Sequence, residues 1–417
     1  MSRPIRVLHV TAVPITGATL VAPIAQRQAQ LGYHVEFACG AGDYFERLQE
    51  LGFPVTQVGL ARNPANWHNL VAVDELSYLM RARRFDIVHT HTPVASLVGR
   101  LAATLARVPI IFYHMRGSLW ESYHVSFLSQ QTFTALEWFA ARIFRTDHVF
   151  TLNQTDEMYL IQKHIITQRA VTCLHCGAGG VDTQRFDPER LSKNKPMLQA
   201  QFGIESSNFV IGFIGRMVRE KGIFDLVQAF RKLVQLVPHA KLIYVGGVLE
   251  SEHDRSGFDL LKETVARDSL LSSHVIFTGF RQDIPELLSL MNVLVLPSYR
   301  EGFGMALAEA SAMGKPVIAT NTLGAREAIV PGENGFIVPI ADIDALYTAM
   351  FRLAMNPELE KSMGRAARKI AVEQFDETVI FERINQVYTE HLTRKGLPVP
   401  TFSKQTLSNA RSSFIQE

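Results

Sequence analysis

Short apolar segments alternate with helix-like segments along most of the chain, and this alternation constrains the fold more than any other feature. The first half contains seven such apolar segments: IRVLHV (5–10), HVEFAC (34–39), FPVTQV (53–58), FDIVHTH (85–91), VPIIFYH (108–114), DHVFTL (147–152) and AVTCLH (170–175). They are apolar nearly throughout, which is typical of strands buried on both faces of a parallel sheet. We therefore predict an α/β fold that begins with a Rossmann-like, doubly wound domain.

The same alternation begins again after an interruption. The stretch 177–196 is rich in glycine, proline and charge, as interdomain connections are. Strand-like segments resume at 208–215 and continue to 334–340. We predict an N-terminal domain at 1–195, a second Rossmann-like domain at 196–374, a helix at about 375–394 that rejoins the first domain, and a polar tail at 395–417. Two such domains place ligands at the carboxyl ends of their strands.

The composition is that of an ordinary globular protein and argues against several classes. The chain has 417 residues, more than one core usually holds, and a formal net charge of +2 without a basic stripe, so no nucleic-acid partner is expected. No apolar run approaches the roughly 18 residues of a transmembrane helix, and no signal-peptide pattern is present. We expect a cytoplasmic protein, with peripheral contact at the inner face of the membrane as an open alternative. Cys39, Cys173 and Cys176 are interpreted as incidental thiols, not metal ligands.

A turn between an apolar strand and a helix carries two glutamates. The sequence SYREGFGMALAEASAM (298–313) places Glu301 before the turn and Glu309 in the helix, with Gly302 and Gly304 between them. A helix that begins here directs backbone N–H groups and its positive dipole end at an anion. Phosphate on those groups and hydroxyls on the carboxylates would suit a sugar nucleotide. The alternative is an ordinary strand–turn–helix with solvated glutamates.

A second loop, GRMVREKG (215–222), carries two cations across a turn. Arg216 can bind two phosphate oxygens at once, and Lys221 adds a point charge. The alternative is a solvated basic loop with Glu220 as its local partner. Both loops follow strands of one predicted sheet, so both can face one diphosphate.

Together these motifs resemble a known family. The chain resembles a retaining glycosyltransferase of the GT-B fold, family 4. Two stretches carry the resemblance: GFIGRMVREKG and, after it, VIFTGFRQDIPELLSLMNVLVLPSYREGFGMALAEASAMGKPVIAT. In that family two glutamates are separated by seven residues, as Glu301 and Glu309 are here, with an upstream arginine and lysine that match Arg216 and Lys221. The first half matches through HTHTPVASLVGRLAA and GGVDTQRFDP.

The resemblance implies a role for each matched residue. Arg216 and Lys221 would hold the donor diphosphate with the N–H groups near Gly304 and Met305. Glu309 would accept from the ribose hydroxyls and Glu301 from the transferred sugar. The nucleobase of the donor would lie at Phe280 and Arg281, chiefly against their backbone atoms. The expected donor-binding set is Arg216, Lys221, Phe280, Arg281, Glu301, Gly302, Phe303, Gly304, Met305 and Glu309. Catalysis is assigned to His114, Glu301, Arg216 and Lys221, without metal or cofactor, since fixed cations stabilise the leaving phosphate.

Residues of the first half are expected to hold the transferred sugar and the acceptor. His114 matches a position where the family has a histidine near that sugar, and His91 lies at the end of the preceding strand. For both histidines, packing inside the protein is the alternative. Thr16 and Gly17 form the first loop, where many relatives have a glycine pair whose backbone approaches the donor phosphate or the acceptor. This chain has a single glycine there, which leaves the acceptor contacts undetermined.

The acceptor is the least specified part of the prediction. The segment 119–145 is rich in aromatic residues and ends with Arg142 and Arg145, so it reads either as a membrane-facing surface or as an ordinary core helix. We expect transfer from a nucleotide sugar, UDP-linked rather than GDP-linked, to a lipid-linked or saccharide acceptor in bacterial surface polysaccharide synthesis. The alternatives are transfer to a small soluble acceptor, a sugar-nucleotide epimerase, and a non-catalytic sugar-nucleotide binding protein.

Overall fold

The computed structural model describes residues 3–61, 63–64, 66–117, 127–177, 179–191, 195–248 and 256–400. Trp120 and Tyr123 of the aromatic segment, and most of the predicted tail, lie outside these residues. The chain divides into two compact units, which we call the first unit (up to Gly179, and from Ile380 onward) and the second unit (Gly180–Val379).

The first unit is built on a seven-stranded sheet. Its strands are β1 Arg6–Thr11, β2 His34–Cys39, β3 Val55–Gln57, β4 Ile87–His91, β5 Ile110–His114, β6 His148–Thr151 and β7 Val171–Cys173. They pair in parallel in the order β3-β2-β1-β4-β5-β6-β7. The helices are α1 Pro14–Thr16, α2 Ala22–Gln30, α3 Phe45–Glu50, α4 His68–Arg83, α5 Pro93–Leu105, α6 Phe127–Ile143 and α7 Gln154–Gln162, with a π-helical turn at Gly17–Val21 and a 3-10 turn at Gln168–Ala170.

The second unit is built on a six-stranded parallel sheet. Its strands are β8 Phe209–Ile214, β9 Ala240–Val245, β10 Val275–Phe277, β11 Val293–Leu296, β12 Val317–Thr320 and β13 Gly335–Val338, in the order β10-β9-β8-β11-β12-β13. The helices are α8 Lys195–Phe202, α9 Ile223–Leu236, α10 Ser256–Arg267, α11 Ser269–Ser272, α12 Ile284–Leu290, α13 Met305–Ala312, α14 Leu323–Ala328, α15 Ile343–Ala354 and α16 Pro357–Ile370, with a 3-10 turn at Arg219–Lys221 and a π-helical turn at Ala371–Phe375. The last helix, α17 Glu377–Arg394, runs from the second unit into the first.

The two sheets confirm the predicted fold class of two Rossmann-like α/β domains. The contact boundary at Gly179 lies earlier than the 195 derived from composition, because the intervening segment packs within the second unit. There the side chain of Arg368 donates to the carbonyls of Thr183 and Phe186, and Val181 pairs with Asp376.

The two faces of the first sheet differ in chemistry. On one face, aliphatic side chains such as Leu8, Val88 and Ile111 pack against α4 and α5. The other face carries rings: His9 and His89 lie 5.3 Å apart between centroids, and Tyr388 of α17 lies 5.9 Å from His89. Burial of aliphatic area supplies most of the stability on the first face, whereas the ring face depends on polar groups that must find partners.

Candidate active site

The loops that follow β8 and β11 lie side by side at the carboxyl edge of the second sheet. Strand β11 pairs directly with β8, with Val293 opposite Ile211, so the two loops leave adjacent strands at the same edge. Lys221 follows β8 and Glu301 follows β11, and their side chains form an ion pair. Both side chains are largely buried, with 14% and 11% of their surface exposed. The sheet therefore brings together two predicted residues that lie 80 positions apart in sequence.

Glu301 is held in place from several directions. The hydroxyl of Ser298 donates to Glu301 Oε1 at 2.8 Å, and the amide of Gly324 donates to the Glu301 carbonyl at 3.1 Å. The hydroxyl of Thr320 in turn donates to the carbonyl of Ser298. A carboxylate that accepts from both an ammonium and a hydroxyl is fixed in position.

A glycine allows the cationic loop to approach β11. Gly222 has φ of +69°, and a Cβ at this position would lie 2.0 Å from the carbonyl oxygen of Pro297. The amide of Tyr299 donates to the carbonyl of Glu220 at 2.9 Å, and the Tyr299 hydroxyl donates to Asp225 at 2.8 Å. These contacts fix the 3-10 turn that carries Lys221. Arg216 precedes this turn and is half-buried.

Helix α13 begins at the same edge and presents its N-terminus there. Gly304 occupies the N-cap with φ of +78° and has no side chain to accept hydrogen bonds from the first-turn amides. Those amides and the positive end of the helix dipole suit an anionic ligand. Met305 is the first residue of the helix and is half-buried, whereas the Phe303 side chain is 3% exposed and packs against Phe375 at 5.6 Å.

Glu309 lies in the second turn of α13, and its carboxyl group is desolvated. Burial raises its pKa to about 7, and the positive charge of Arg185 partly opposes that rise. The group therefore exchanges its proton near neutral pH, unlike an ordinary glutamate. Hydrogen bonds donated by ligand hydroxyls would favour its charged form.

Phe280 and Arg281 follow β10 and differ in exposure. Phe280 is 62% exposed, and its ring covers Gly247 so closely that a Cβ there would lie 2.6 Å from the ring. The guanidinium of Arg281 donates to both carboxylate oxygens of Asp283, at 2.8 and 2.6 Å. Because that side chain is bound to Asp283, the backbone of Arg281 is the part that could contact a nucleobase.

The predicted residues of the first unit lie deeper than the sequence indicated. His114 is the last residue of β5, not a loop residue, and it pairs with His91 of β4; both are fully buried. Gly17 begins a π-helical turn with φ of −60° and packs near Leu48 and Phe37, so it does not form an open glycine loop. Thr16 ends α1 and is half-buried.

The histidines of the first sheet form one network. His9 Nδ1 lies 2.9 Å from His91 Nε2, and His9 Nε2 lies 2.8 Å from Gln28 Oε1. His89 Nδ1 lies 2.7 Å from the hydroxyl of Tyr388. Burial lowers the pKa of His9 to about 4 and holds the pKa values of His89, His91 and His114 well below 6.5. These imidazoles are therefore neutral at pH 7.

Sequence reasoning missed Arg116, the cation of this network. Its Nε donates to His91 Nδ1 at 3.3 Å, and Nη2 donates to the carbonyl of Leu20 at 3.2 Å. Ring nitrogens of His9, His89 and His91 lie within 4.8 Å of one another, a spacing that could hold a metal ion. The positive charge of Arg116 beside them disfavours a second cation. The sequence did contain one indication of Arg116: it is a charged residue two positions beyond the end of a strand.

Comparisons with known proteins decide the family. The family of glycosyl transferases group 1 matches residues 194–370, and the glycosyl transferase 4-like domain matches residues 16–177. The chain belongs to the group 1 glycosyltransferases. The predicted membership of this glycosyltransferase family is thereby confirmed.

Relatives of this glycosyltransferase align over most of its length. The capsular polysaccharide biosynthesis glycosyltransferase CapM of Staphylococcus aureus is 29% identical over 340 residues, covering 80% of this chain and 84% of CapM. An Escherichia coli UDP-Gal:alpha-D-GlcNAc-diphosphoundecaprenol alpha-1,3-galactosyltransferase is 27% identical, covering 81% and 83%. The crystal structure of HepE from Anabaena superposes with a TM-score of 0.75 at 24% identity, covering 93% of this chain and all of HepE. The GT-B fold is confirmed by such likenesses.

Proposed function

We propose that this glycosyltransferase moves a sugar from a UDP-linked donor to a lipid-linked acceptor, with retention of configuration and without a metal ion. The observation that carries the proposal is the cluster of Lys221, Glu301 and Ser298 beside the N-terminus of α13. Cation, carboxylate and helix amides lie together at the end of adjacent strands, where α/β folds bind ligands. Transfer from a GDP-linked donor or to a small soluble acceptor is the alternative.

The donor diphosphate would replace Glu301 as the partner of Lys221. Without a donor, Glu301 neutralises Lys221. A diphosphate carries more charge than one carboxylate, so Lys221 turns towards it together with Arg216 and the amides near Met305. Glu301 is then released to accept from hydroxyls of the transferred sugar, and Glu309 accepts from the ribose. The site is thus held in order before substrate arrives.

The chemical step transfers the sugar within this arrangement. The bond between the anomeric carbon and the diphosphate oxygen breaks, and the sugar gains oxocarbenium-like character. Lys221, Arg216 and the α13 amides stabilise the charge on the leaving phosphate. The acceptor hydroxyl attacks from the same face and passes its proton to that phosphate. We assign to His114, by its match to the family histidine, the positioning of the transferred sugar.

The acceptor class is taken from a relative and from one helix. The Escherichia coli relative is named for UDP-Gal and a diphosphoundecaprenol-linked sugar, and we carry that donor and acceptor class to this chain. Helix α6 exposes Leu136, Trp138 and Phe139 at 43%, 41% and 55%. Such a surface fits peripheral contact with a membrane that holds the acceptor. Within the described residues, no helix is long and apolar enough to cross a bilayer.

The experiment is a thermal-shift and hydrolysis screen of UDP-, GDP- and ADP-sugars with EDTA present throughout. We expect a rise in melting temperature with one UDP-sugar and slow release of UDP. Stabilisation by GDP-sugars alone would replace the donor assignment. Loss of all binding in EDTA, restored by Mg²⁺, would overturn metal independence. Binding with epimer formation, or without any turnover, would move the protein to the epimerase or the binding-protein alternative.

A further inference from the structure

Arg116 is a half-buried cation of the first unit, and the residues that the structure describes give it no acidic partner. Its guanidinium contacts an imidazole and a backbone carbonyl, both uncharged. Among the residues that the structure describes, no carboxylate forms an ion pair with it, and Nη1 is buried without a hydrogen-bond partner. By contrast, the buried Arg100 of the same unit pairs with Glu137 at 2.7 Å. A buried, uncompensated charge is costly to retain unless a ligand uses it.

The imidazoles around Arg116 add further unused hydrogen-bonding groups. Both ring nitrogens of His114, and Nε2 of His89, are buried without a partner within the described part of the chain. His114 and His91 lie 5.5 Å apart between ring centroids, and His91 contacts Arg116 directly. A neutral histidine can donate one hydrogen bond and accept another. The cluster therefore offers one positive charge and several polar groups, with no negative charge of its own.

The charge state at neutral pH follows from burial. Burial lowers the pKa of Arg116 to about 9, so the guanidinium remains protonated at pH 7. The four imidazoles remain neutral, because burial lowers their pKa values below the ordinary 6.5. The net charge of the cluster is thus positive at pH 7 and is carried by Arg116.

We propose that Arg116 binds a phosphate of the acceptor, and that the protein thereby selects acceptors whose sugar is linked to a lipid through phosphate. This inference rests on the proposed function for its acceptor class. The donor already has a cationic site of its own, Arg216 and Lys221 of the second unit, so a second phosphate-binding cation in the first unit is left for the other substrate. Arginine suits phosphate because its planar N–H groups match two phosphate oxygens.

The contacts of Arg116 divide its guanidinium into a fixed part and a binding part. Nε on His91 and Nη2 on the Leu20 carbonyl hold the plane in position, and Nη1 is left for the ligand. In this low-dielectric environment a charged hydrogen bond is stronger than at the surface. The residue as a whole is half-buried, whereas Nη1 itself is buried.

The experiment compares two acceptors that share one sugar. One is the sugar linked to a short lipid through diphosphate, and the other is the same sugar as an uncharged alkyl glycoside. Wild type, Arg116→Gln and Arg116→Lys are assayed with a fixed UDP-sugar. We expect Arg116→Gln to raise KM about 10- to 100-fold for the diphosphate acceptor and to leave the alkyl glycoside within about threefold. Arg116→Lys, which keeps the charge, should recover part of the loss.

Two controls separate the possible outcomes. Arg47→Gln removes an exposed arginine paired with Glu50 in the same unit and should change neither KM. Release of UDP by hydrolysis, measured without acceptor, should be the same in wild type and Arg116→Gln. Equal loss with both acceptors, or a raised KM for the donor, would overturn the phosphate assignment while leaving the glycosyltransferase function intact. If no variant and no wild-type sample turned over any nucleotide sugar, the proposed function itself would fail.

Discussion

At the carboxyl edge of the second sheet the charged groups neutralise one another, whereas at the same edge of the first sheet a cation lies among neutral imidazoles. Lys221 and Glu301 form an ion pair, and Arg281 pairs with Asp283. Among the described residues, Arg116 donates to His91 and to a backbone carbonyl and pairs with no carboxylate. At the edge of the second sheet, a donor would therefore bind by replacing one partner of an ion pair. At the edge of the first sheet, the positive charge of Arg116 is removed from water and remains available to a ligand. The predictions below test this difference.

The largest effect is expected for Lys221→Ala. Transfer should fall about 100-fold or more, because a charge that stabilises the leaving phosphate is lost. Stability should also fall, by about 1–3 kcal/mol, because Glu301 remains largely buried without its cation. Steady-state assays with a UDP-sugar and urea unfolding would measure both effects.

The double variant Lys221→Ala/Glu301→Gln separates the two consequences. It should regain much of the lost stability, since no unpaired carboxylate remains. It should regain none of the transfer activity. Transfer near the wild-type rate in Lys221→Ala would remove this lysine from the donor site.

Glu309→Gln should change how donor binding depends on pH. The raised pKa of about 7 means that part of the Glu309 population is protonated at neutral pH. Ribose hydroxyls donate best to the carboxylate, so wild-type affinity for a UDP-sugar should rise with pH and level off above 7. The variant should bind several-fold more weakly, with little pH dependence between 5.5 and 8.5. Titration calorimetry would measure this, and parallel pH profiles of the two proteins would contradict it.

Mild acid should destabilise the first unit. A histidine whose folded pKa is depressed binds its proton only in the unfolded state below pH 6.5, so it contributes stability above that pH and loses it as pH falls. His9, with a folded pKa of about 4, and His148, with about 3, belong to this class with His89, His91 and His114. Each of these histidines should lower the unfolding free energy by about 1.4 kcal/mol for every pH unit below 6.5, down to its folded pKa.

Hydrogen exchange at pH 5 and 7, corrected for intrinsic rates, distinguishes the units. Protection should fall in β4 and β5 more than in β11. Glu309 acts in the opposite direction in the second unit, because its raised pKa makes the folded state hold the proton more tightly. His148→Phe is the matched control and should reduce the acid dependence by one proton. Unfolding free energy that stays flat from pH 7 to pH 5 would show that the ring face tolerates charge.

Gly222→Ala should have an effect confined to the second unit. The new Cβ would lie 2.0 Å from the Pro297 carbonyl, at a φ that disfavours a side chain. We expect a loss of about 1–3 kcal/mol in unfolding free energy and a weaker donor site, since the turn carrying Lys221 must move. Gly203→Ala, also at positive φ but with open space around it, is the control for backbone strain alone. Equal losses in both would show that the close approach is unimportant.

The sequence predicts more of the fold than of the site. Continuous apolar strands and intervening helices determine two parallel sheets, and the carboxyl-edge rule places Lys221 and Glu301 in neighbouring loops. That they bind each other was not predictable, because the contact joins loops 80 residues apart. Burial of His114 was one of two interpretations left open by the sequence, which could not decide between them for a similar reason. The ring face that contains it is covered in part by α17, which supplies Tyr388 from the far end of the chain. Local spacing does not record such contacts.

The exchange of partners at Lys221 is tested most directly by titrating UDP, which has no sugar, into three proteins in EDTA. If the diphosphate must displace Glu301 from Lys221, then Glu301→Gln should bind UDP as tightly as wild type or more tightly, because the competing carboxylate is gone. Lys221→Ala should bind UDP about tenfold or more weakly. We predict weaker UDP binding by Lys221→Ala and no loss of binding by Glu301→Gln. Weaker binding by Glu301→Gln, or unchanged binding by Lys221→Ala, would contradict the account.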